Sequence, residues 1–522
     1  MLISESDILL MLNFLRSLSW KLLDICYCHL FIASSTSGFE NLTMENYLYS
    51  TETSSEESDC NDDMRESGFC CDPNNPNPCS HKNNGALVED PSCNPDSPLK
   101  VTFEEITSAA YKIKSGIINT PCPRSHMSHL TGMDVYLKKD FLQNTGSFKE
   151  RGARYAMLML SPERRQNGVI AASLGNHAQA VCYHGYLLGI PVTVVMPIIA
   201  PIMKIQKCKE FNANVIMEGK DMAEAKKIAI KMAKEKGYTY INGYDHPQII
   251  AGQGTIALEI LEQVEDIDAI VVPTGGGGLL AGVAVAVKTL NPKIKIIGVE
   301  SERCASFSKA MDAEKPVSTA IEGTLADGLA VPMVGYNAWE TAKSLVDKMV
   351  VVKEEWIAVA ILRMVELEKC VVEGAGAVGL AAILAGQLDE FKGKRVVLIL
   401  SGGNIDTTIL GRCLERGLAA DGRLVKCKVT VSDRPGGISE LCKLIGSIGV
   451  SIKDVIHERA WVTSDVFSVE VKVVCETRDY AHSLELRELL FNRYKKVKFE
   501  NLPDNLAVSS TSDECIYKQQ CN

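Results

Sequence analysis

The chain has 522 residues, too many for one small core, so two to four domains are expected. Hydrophobic residues make up 46% and charged residues 23%, ordinary values for a globular protein. The net charge of −10, with no basic run to offset it, argues against nucleic acid as a partner and favours a small molecule or another protein.

Residues 8–33 are apolar but carry Arg16, Lys21 and Asp24. A membrane-spanning helix wants about 20 nearly uncharged residues, so no membrane anchor is expected. Glu5 and Asp7 come too early for a mitochondrial presequence. Residues 49–98 turn to Ser, Asp, Asn and Pro and lack the aliphatic side chains that would offset the cost of ordering them. Residues 1–98 therefore read as a disordered extension. Cys70, Cys71, Cys79 and His81 fit no familiar ligand spacing, and no metal is expected. From Val101 onward cysteines occur singly in apolar stretches, as at Cys182, Cys370 and Cys442. That is the usage of a reduced, cytoplasmic protein.

From Val101 short β-branched runs alternate with helical patterns. "DVYLKK", "GVIAAS", "VTVVMP", "AIVVPT", "IKIIGVE" and "RVVLILS" read as buried strands. In "TIALEILEQV", Ile256, Ile260, Leu261 and Val264 share one helical face. This alternation across residues 99–424 predicts an α/β architecture of doubly wound open sheets. A different texture follows over residues 426–501. Phe467, Val469, Val471 and Val473 alternate with Ser468, Glu470 and Lys472 as in a half-buried strand. Pro435 suits a helix first turn, with Asp433 at the cap and Ile438, Leu441, Cys442 and Ile445 on the apolar face. The order βαββαβ predicts a ferredoxin-like unit. Residues 502–522 read as a disordered tail.

Four segments carry candidate chemistry. In "AIVVPTGGGGLLAG" a strand runs into Gly275, Gly276, Gly277 and Gly278 and then a helix, a cradle for a phosphate or else a tight structural turn. "SLGNHAQA" puts Ser173, Asn176, His177 and Gln179 at a strand end, where ligands sit in open α/β sheets and where helix caps also sit. "VVLILSGGN" ends a third strand in Ser401–Asn404. In "TGSFKERGARYA", Lys149 stands among Glu150, Arg151 and Arg154, which read as solvated charges on a helix. If a phosphate-bearing aldehyde cofactor binds here, it needs a lysine amine, and pyridoxal 5'-phosphate fits that requirement.

"KKDFLQNTGSFKERGA", "SLGNHAQ", "TGGGGLLAG", "EGTLADGLAV", "VVEGAGA" and "LILSGGN" together resemble the fold type II (tryptophan synthase β-like) pyridoxal-phosphate enzymes, and among them the threonine/serine dehydratases of catabolic type. The segment 426–501, through "DRPGGISEL", resembles an ACT domain, an amino-acid-sensing module. The resemblance implies that Lys149 anchors the cofactor and moves the α-proton, with Phe148 beside the ring. Gly275, Gly276, Gly277, Gly278 and Leu279 would hold the phosphate, Asn176 the phenolic oxygen and Ser401 the ring nitrogen. Ser173, Gly175, Asn176 and His177 would receive the substrate carboxylate. An amino-acid effector would lie near Asp433, Pro435, Gly436 and Gly437, in a homo-oligomer.

The implied reaction is β-elimination from L-threonine, and L-serine, giving 2-oxobutanoate or pyruvate and ammonia. Serine racemase is the nearest rival. Its second acid/base would fall at Leu174, which cannot transfer a proton. Its metal site would need an aspartate where Ser306 stands beside Glu300 and Cys304. A β-replacement enzyme and a catalytically silent amino-acid sensor are weaker alternatives.

Overall fold

The structure, a computed structural model, describes residue 90, residues 92–459 and residues 466–500. The readings of the apolar stretch, the early cysteines and the C-terminal tail fall outside the described residues. Residues 92–98, expected within the disordered extension, are tied to the body. Asn337 donates to the Ser92 carbonyl at 2.9 Å, and the thiol of Cys93 donates to Asp245.

Two parallel sheets form the larger part. The first contains β1 (Asp134–Lys138), β6 (Ala269–Pro273), β7 (Lys295–Ser301), β8 (Lys348–Val352) and β9 (Arg395–Ile399), in the order β1-β9-β6-β7-β8. The second contains β2 (Val169–Ala172), β3 (Val192–Met196), β4 (Asn214–Met217) and β5 (Thr239–Tyr240), in the order β4-β3-β2-β5. Strands β4, β5 and β8 went unread in the sequence: β4 is half-exposed and β5 is two residues long. The first sheet is buried on both faces. Ala269, Val271, Val396 and Leu398 enter one core, while Ile270, Val272, Val397 and Ile399 enter the other. That two-sided burial is why these strands read as unbroken apolar runs.

One long helix, Pro247–Gln263, sets the spacing of the elements that matter for the site. A Cβ on Gly252 would lie 2.6 Å from the Gly152 Cα, and one on Gly282 would lie 2.6 Å from the Gly254 nitrogen. The helix therefore meets the Lys149–Leu158 helix on one side and the Gly278–Leu290 helix on the other, backbone against backbone.

The last part is antiparallel: β10 (Leu424–Ser432), β11 (Ser451–Glu458), β12 (Ser468–Glu476) and β13 (Val497–Phe499), in the order β11-β12-β10-β13, with helices Gly437–Ser447 and Tyr480–Arg493. This is the expected ferredoxin-like βαββαβ arrangement. Val425, Cys427, Val429, Val469, Val471, Val473 and Cys475 share its core with Leu441 and Ile445. Two details differ from expectation. Phe467 precedes β12 and is exposed, not part of the buried face. The helix opens at Gly437 with Gly436 as its cap in the left-handed region (φ 97°), so Pro435 lies outside the helix and Asp433 does not cap it. Asp433 instead pairs with Arg459 at 2.9 Å.

Candidate active site

Four loops leave the carboxyl ends of β1, β2, β6 and β9, the side of a parallel sheet where ligands are bound. The loop after β1 carries Lys149. Its backbone is stitched to the loop after β9: Phe148 N–H donates to the Ser401 carbonyl at 3.0 Å, and Gly403 N–H donates to Gly146 at 3.0 Å. The lysine motif and the Ser–Gly–Gly–Asn turn thus form one unit.

Lys149 Nζ donates to the Gly243 carbonyl at 2.6 Å and lies 5.1 Å from the centre of the Phe148 ring. Burial lowers its pKa to about 8, although the nearby Glu373 carboxylate acts in the opposite direction. The amine is therefore far closer to neutrality than a surface lysine.

Gly275–Gly278 follow β6 and are buried. Gly277, at φ 89°, caps the Gly278–Leu290 helix. A Cβ on Gly276 would lie 2.3 Å from the Tyr244 ring, and one on Gly278 would lie 2.2 Å from the Tyr244 carbonyl oxygen. Only glycine lets this loop close over Tyr244. Among the described residues, no acceptor faces the N–H groups of Gly275 through Leu279. Five adjacent buried donors at a helix N-terminus are what a phosphate requires.

The loop after β2 opens the Asn176–Leu188 helix. Ser173 Oγ accepts from the N–H groups of Gly175 and Ala178, both at 3.3 Å, so its own proton remains for another acceptor. His177 Nε2 meets the Ile241 carbonyl at 3.0 Å, while its Nδ1 is buried without a partner. Burial and the charge of Lys149 hold this imidazole neutral, with a pKa of about 3. Leu174 packs against the small-sheet core. Ser401 is buried at the end of β9.

The reading of Glu150 and Arg151 as solvated is overturned, because both are fully buried. Arg151 makes two bonds to Asp140, at 2.8 and 2.7 Å, and two to Glu259, at 2.7 and 2.8 Å. Lys138 joins the same Glu259 at 2.6 Å. Glu150 accepts from the Thr145 N–H and faces His184 at 3.3 Å. These charges hold the lysine helix against the β1 loop and the Pro247–Gln263 helix. Their side-chain types gave no sign of it, since a buried charge and a solvated one look alike in sequence.

Gly243, Tyr244 and Glu373 were not singled out by sequence, and Asn404 was read only as the end of the Ser–Gly–Gly–Asn turn. Asn176 donates to Glu373 at 2.7 Å, and Asn404 donates to Asn176 at 2.9 Å and to the Thr145 carbonyl at 2.7 Å. The motifs "VVEGAGA" and "LILSGGN" were the available signals. Glu300 spends both oxygens on the N–H groups of Phe307 (2.6 Å) and Ser308 (2.8 Å), at the start of the Ser306–Ala313 helix. Asp433, Pro435, Gly436 and Gly437 lie in the ferredoxin-like unit, at the turn between β10 and its first helix.

Residues 113–402 match the family model described as pyridoxal-phosphate dependent enzyme. An L-threonine ammonia-lyase of Thermotoga maritima is 41% identical over 399 residues, 76% of this chain and 99% of the relative. Among solved structures, the processed form of threonine deaminase isoform 2 from Solanum lycopersicum is 35% identical with a TM-score of 0.58, covering 61% of this chain and 95% of that one. Serine racemase from Dictyostelium discoideum is 34% identical with a TM-score of 0.56, covering 59% and 99%.

Proposed function

The chain belongs to the pyridoxal-phosphate dependent enzymes, and from that premise we propose that it is a carbon–nitrogen lyase that eliminates water from L-threonine to leave a released enamine, which a water molecule then hydrolyses to 2-oxobutanoate and ammonia, with L-serine giving pyruvate in the same way. One observation carries the reading: a lysine amine whose pKa is lowered to about 8 and five acceptor-free backbone donors lie at the carboxyl ends of β1 and β6. The donor set fits the cofactor. Gly275, Gly276, Gly277, Gly278 and Leu279 would hold its phosphate, Lys149 its aldehyde carbon, Asn176 its ring oxygen and Ser401 its ring nitrogen.

When bound, pyridoxal phosphate supplies an electron sink for the substrate α-carbon and a phosphate proton donor for the departing hydroxyl. Lys149 Nζ takes the α-proton, helped by the desolvation that lowers its pKa and makes the neutral amine easier to reach. Ser173 Oγ–H and the N–H groups of Asn176 and His177 bind the substrate carboxylate at the helix N-terminus. Ser401 offers the ring nitrogen a hydroxyl rather than a carboxylate, which moderates the sink and favours elimination over transamination. Leu174 has no proton to transfer, which separates this site from racemisation.

Residues 426–501 are read as an ACT module that senses an amino acid near Asp433–Gly437, within a homo-oligomer. Support for coupling comes from the junction. Arg423 pairs with Glu366 at 2.6 Å, and Arg363 bridges Glu366 at 2.8 Å and Asp421 at 2.5 Å. A cytoplasmic location fits the cysteines, all free among the described residues. No helix among those residues is long and apolar enough to cross a membrane.

The test is a substrate panel on purified, cofactor-loaded protein without sulfide. L-threonine should give 2-oxobutanoate and ammonia in equal amounts. Absence of both, or conversion of L-serine mainly to D-serine, would overturn the reading.

A further inference from the structure

Behind the Ser401–Asn404 turn two carboxamides and a carboxylate meet, and the proposed mechanism uses only one of them. Asn176 Nδ2 donates to Glu373 Oε1 at 2.7 Å. Asn404 Nδ2 donates to Asn176 Oδ1 at 2.9 Å and to the Thr145 carbonyl at 2.7 Å. The backbone N–H of Asn404 is also directed at Glu373. Glu373 is only 6% exposed.

This set leaves Asn176 one orientation. An ionised carboxylate only accepts, so the NH₂ end of the carboxamide must face Glu373. The oxygen end must then face the NH₂ of Asn404. A flipped amide would set oxygen against carboxylate and NH₂ against NH₂. One hydrogen of Asn176 is thereby spent, and the other is left for an oxygen in the site. Gly402 makes room for the contact: a Cβ there would lie 2.2 Å from Glu373 Oε1 and 3.1 Å from Asn176 Nδ2. Glu373 stands at the cap position of the Gly374–Leu384 helix, yet its side chain makes no cap bond. Its carboxylate is committed to the site rather than to the helix.

We propose that Glu373 is a positioning residue for the cofactor: with Asn404 it locks Asn176 so that a single N–H is presented to the ring oxygen of bound pyridoxal phosphate. The proposal rests on the reading that Asn176 faces that oxygen. Glu373 also carries a proton-linked signature. Burial raises its pKa to about 7. Asp327 pushes the same way, while Asn176, Lys204 and the Asn404 N–H oppose. Lys149 is the other charged group it faces. The orienting bond is therefore at full strength above neutrality and weakens as Glu373 gains a proton.

The test uses the full chain loaded with pyridoxal phosphate, as wild type, Glu373→Ala, Glu373→Gln, Asn176→Ala and the Glu373→Ala/Asn176→Ala pair. Two readouts do not depend on turnover: the dissociation constant for the cofactor and the pH titration of its visible absorbance. Glu373→Ala should weaken cofactor retention about tenfold and move the titration by about one pH unit. Glu373→Gln keeps an acceptor, so it should stay within about threefold of wild type, without the inflection near neutrality. Removing Glu373 should add nothing once Asn176 is gone. Should Glu373→Ala not fold, Glu373→Asp, which draws the carboxylate back by one methylene, should show the same direction of change. Unchanged retention and titration in the Ala or Asp variant would overturn the proposal, as would independent, additive effects of the two positions. If wild type holds the cofactor but releases no 2-oxobutanoate, the functional reading fails, while a non-additive Glu373–Asn176 effect on the spectrum still upholds this one.

Discussion

The amine of Lys149 reaches the carbonyl of Gly243 at 2.6 Å, joining the loop after β1 to the loop after β5. A half-buried donor held to one carbonyl is poised rather than solvated, and desolvation lowers its pKa to about 8. Only the neutral amine attacks an aldehyde. Capture of pyridoxal phosphate by the apoprotein should therefore speed up about tenfold per pH unit below pH 8 and level off above it. A lysine of ordinary pKa would keep accelerating past pH 9. Stopped-flow absorbance distinguishes the two. Lys149→Ala should abolish the visible band and cut turnover by roughly 10³-fold or more.

Glu373 makes a second, oppositely signed prediction, about stability. Its folded pKa is raised from 4.5 to about 7. Below pH 4.5 the carboxyl is protonated both folded and unfolded and costs nothing. Between 4.5 and 7 the folded protein keeps a proton that the unfolded chain has lost, so stability falls as pH rises. Above 7 the penalty is complete, about 3 kcal/mol at most. Urea melts of the apoprotein should show Glu373→Gln gaining on wild type from pH 5 to pH 7.5. A difference that ignores pH would exclude this origin.

Arg151 tests the buried charges beside the lysine. It is fully buried with Asp140, and it shares Glu259 with Lys138. Arg151→Met keeps much of the volume but strands two carboxylates with one cation. The expected loss is about 3–5 kcal/mol in denaturant melts. A solvated helix arginine would cost less than about 1 kcal/mol.

How much of this was legible depended on the kind of signal. The strands of the first sheet other than β8 were, because burial on both faces leaves unbroken apolar runs such as Val271–Val272 and Val396–Leu400. So was the βαββαβ order of elements in the C-terminal unit, apart from Phe467 at a strand edge and the helix start, which lies past Asp433 and Pro435. Strand β5 was not, because two residues show no period. In the site, Lys149, the glycine loop and Ser401 lie in motifs with an unusual local composition. Glu150 and Arg151 were misread because partners such as Asp140, Glu259 and His184 are set by the fold, not by neighbours in the chain. Gly243 contributes a backbone carbonyl, which no side-chain pattern can announce. Glu373 was visible as a letter in "VVEGAGA", but its meaning needs Asn176, 197 residues away.

The glycine contact beneath the site gives the last prediction. A methyl at Gly252 would meet the Gly152 Cα at 2.6 Å and the Arg151 carbonyl at 2.8 Å, backbone atoms with no rotamer to move. The Lys149–Leu158 helix must then shift away from Pro247–Gln263, carrying Lys149 off its line to Gly243. Gly252→Ala should cost about 1–3 kcal/mol of stability. Because the shift misplaces the amine, kcat should also fall, by about tenfold or more. Gly411 is the internal control. It lies within the Thr407–Ala420 helix, and nothing stands within 4 Å of the added methyl. There alanine should stabilise by about 0.4–1 kcal/mol and leave turnover unchanged. If the two substitutions behave alike, close backbone approach at Gly252 does not hold the lysine in place.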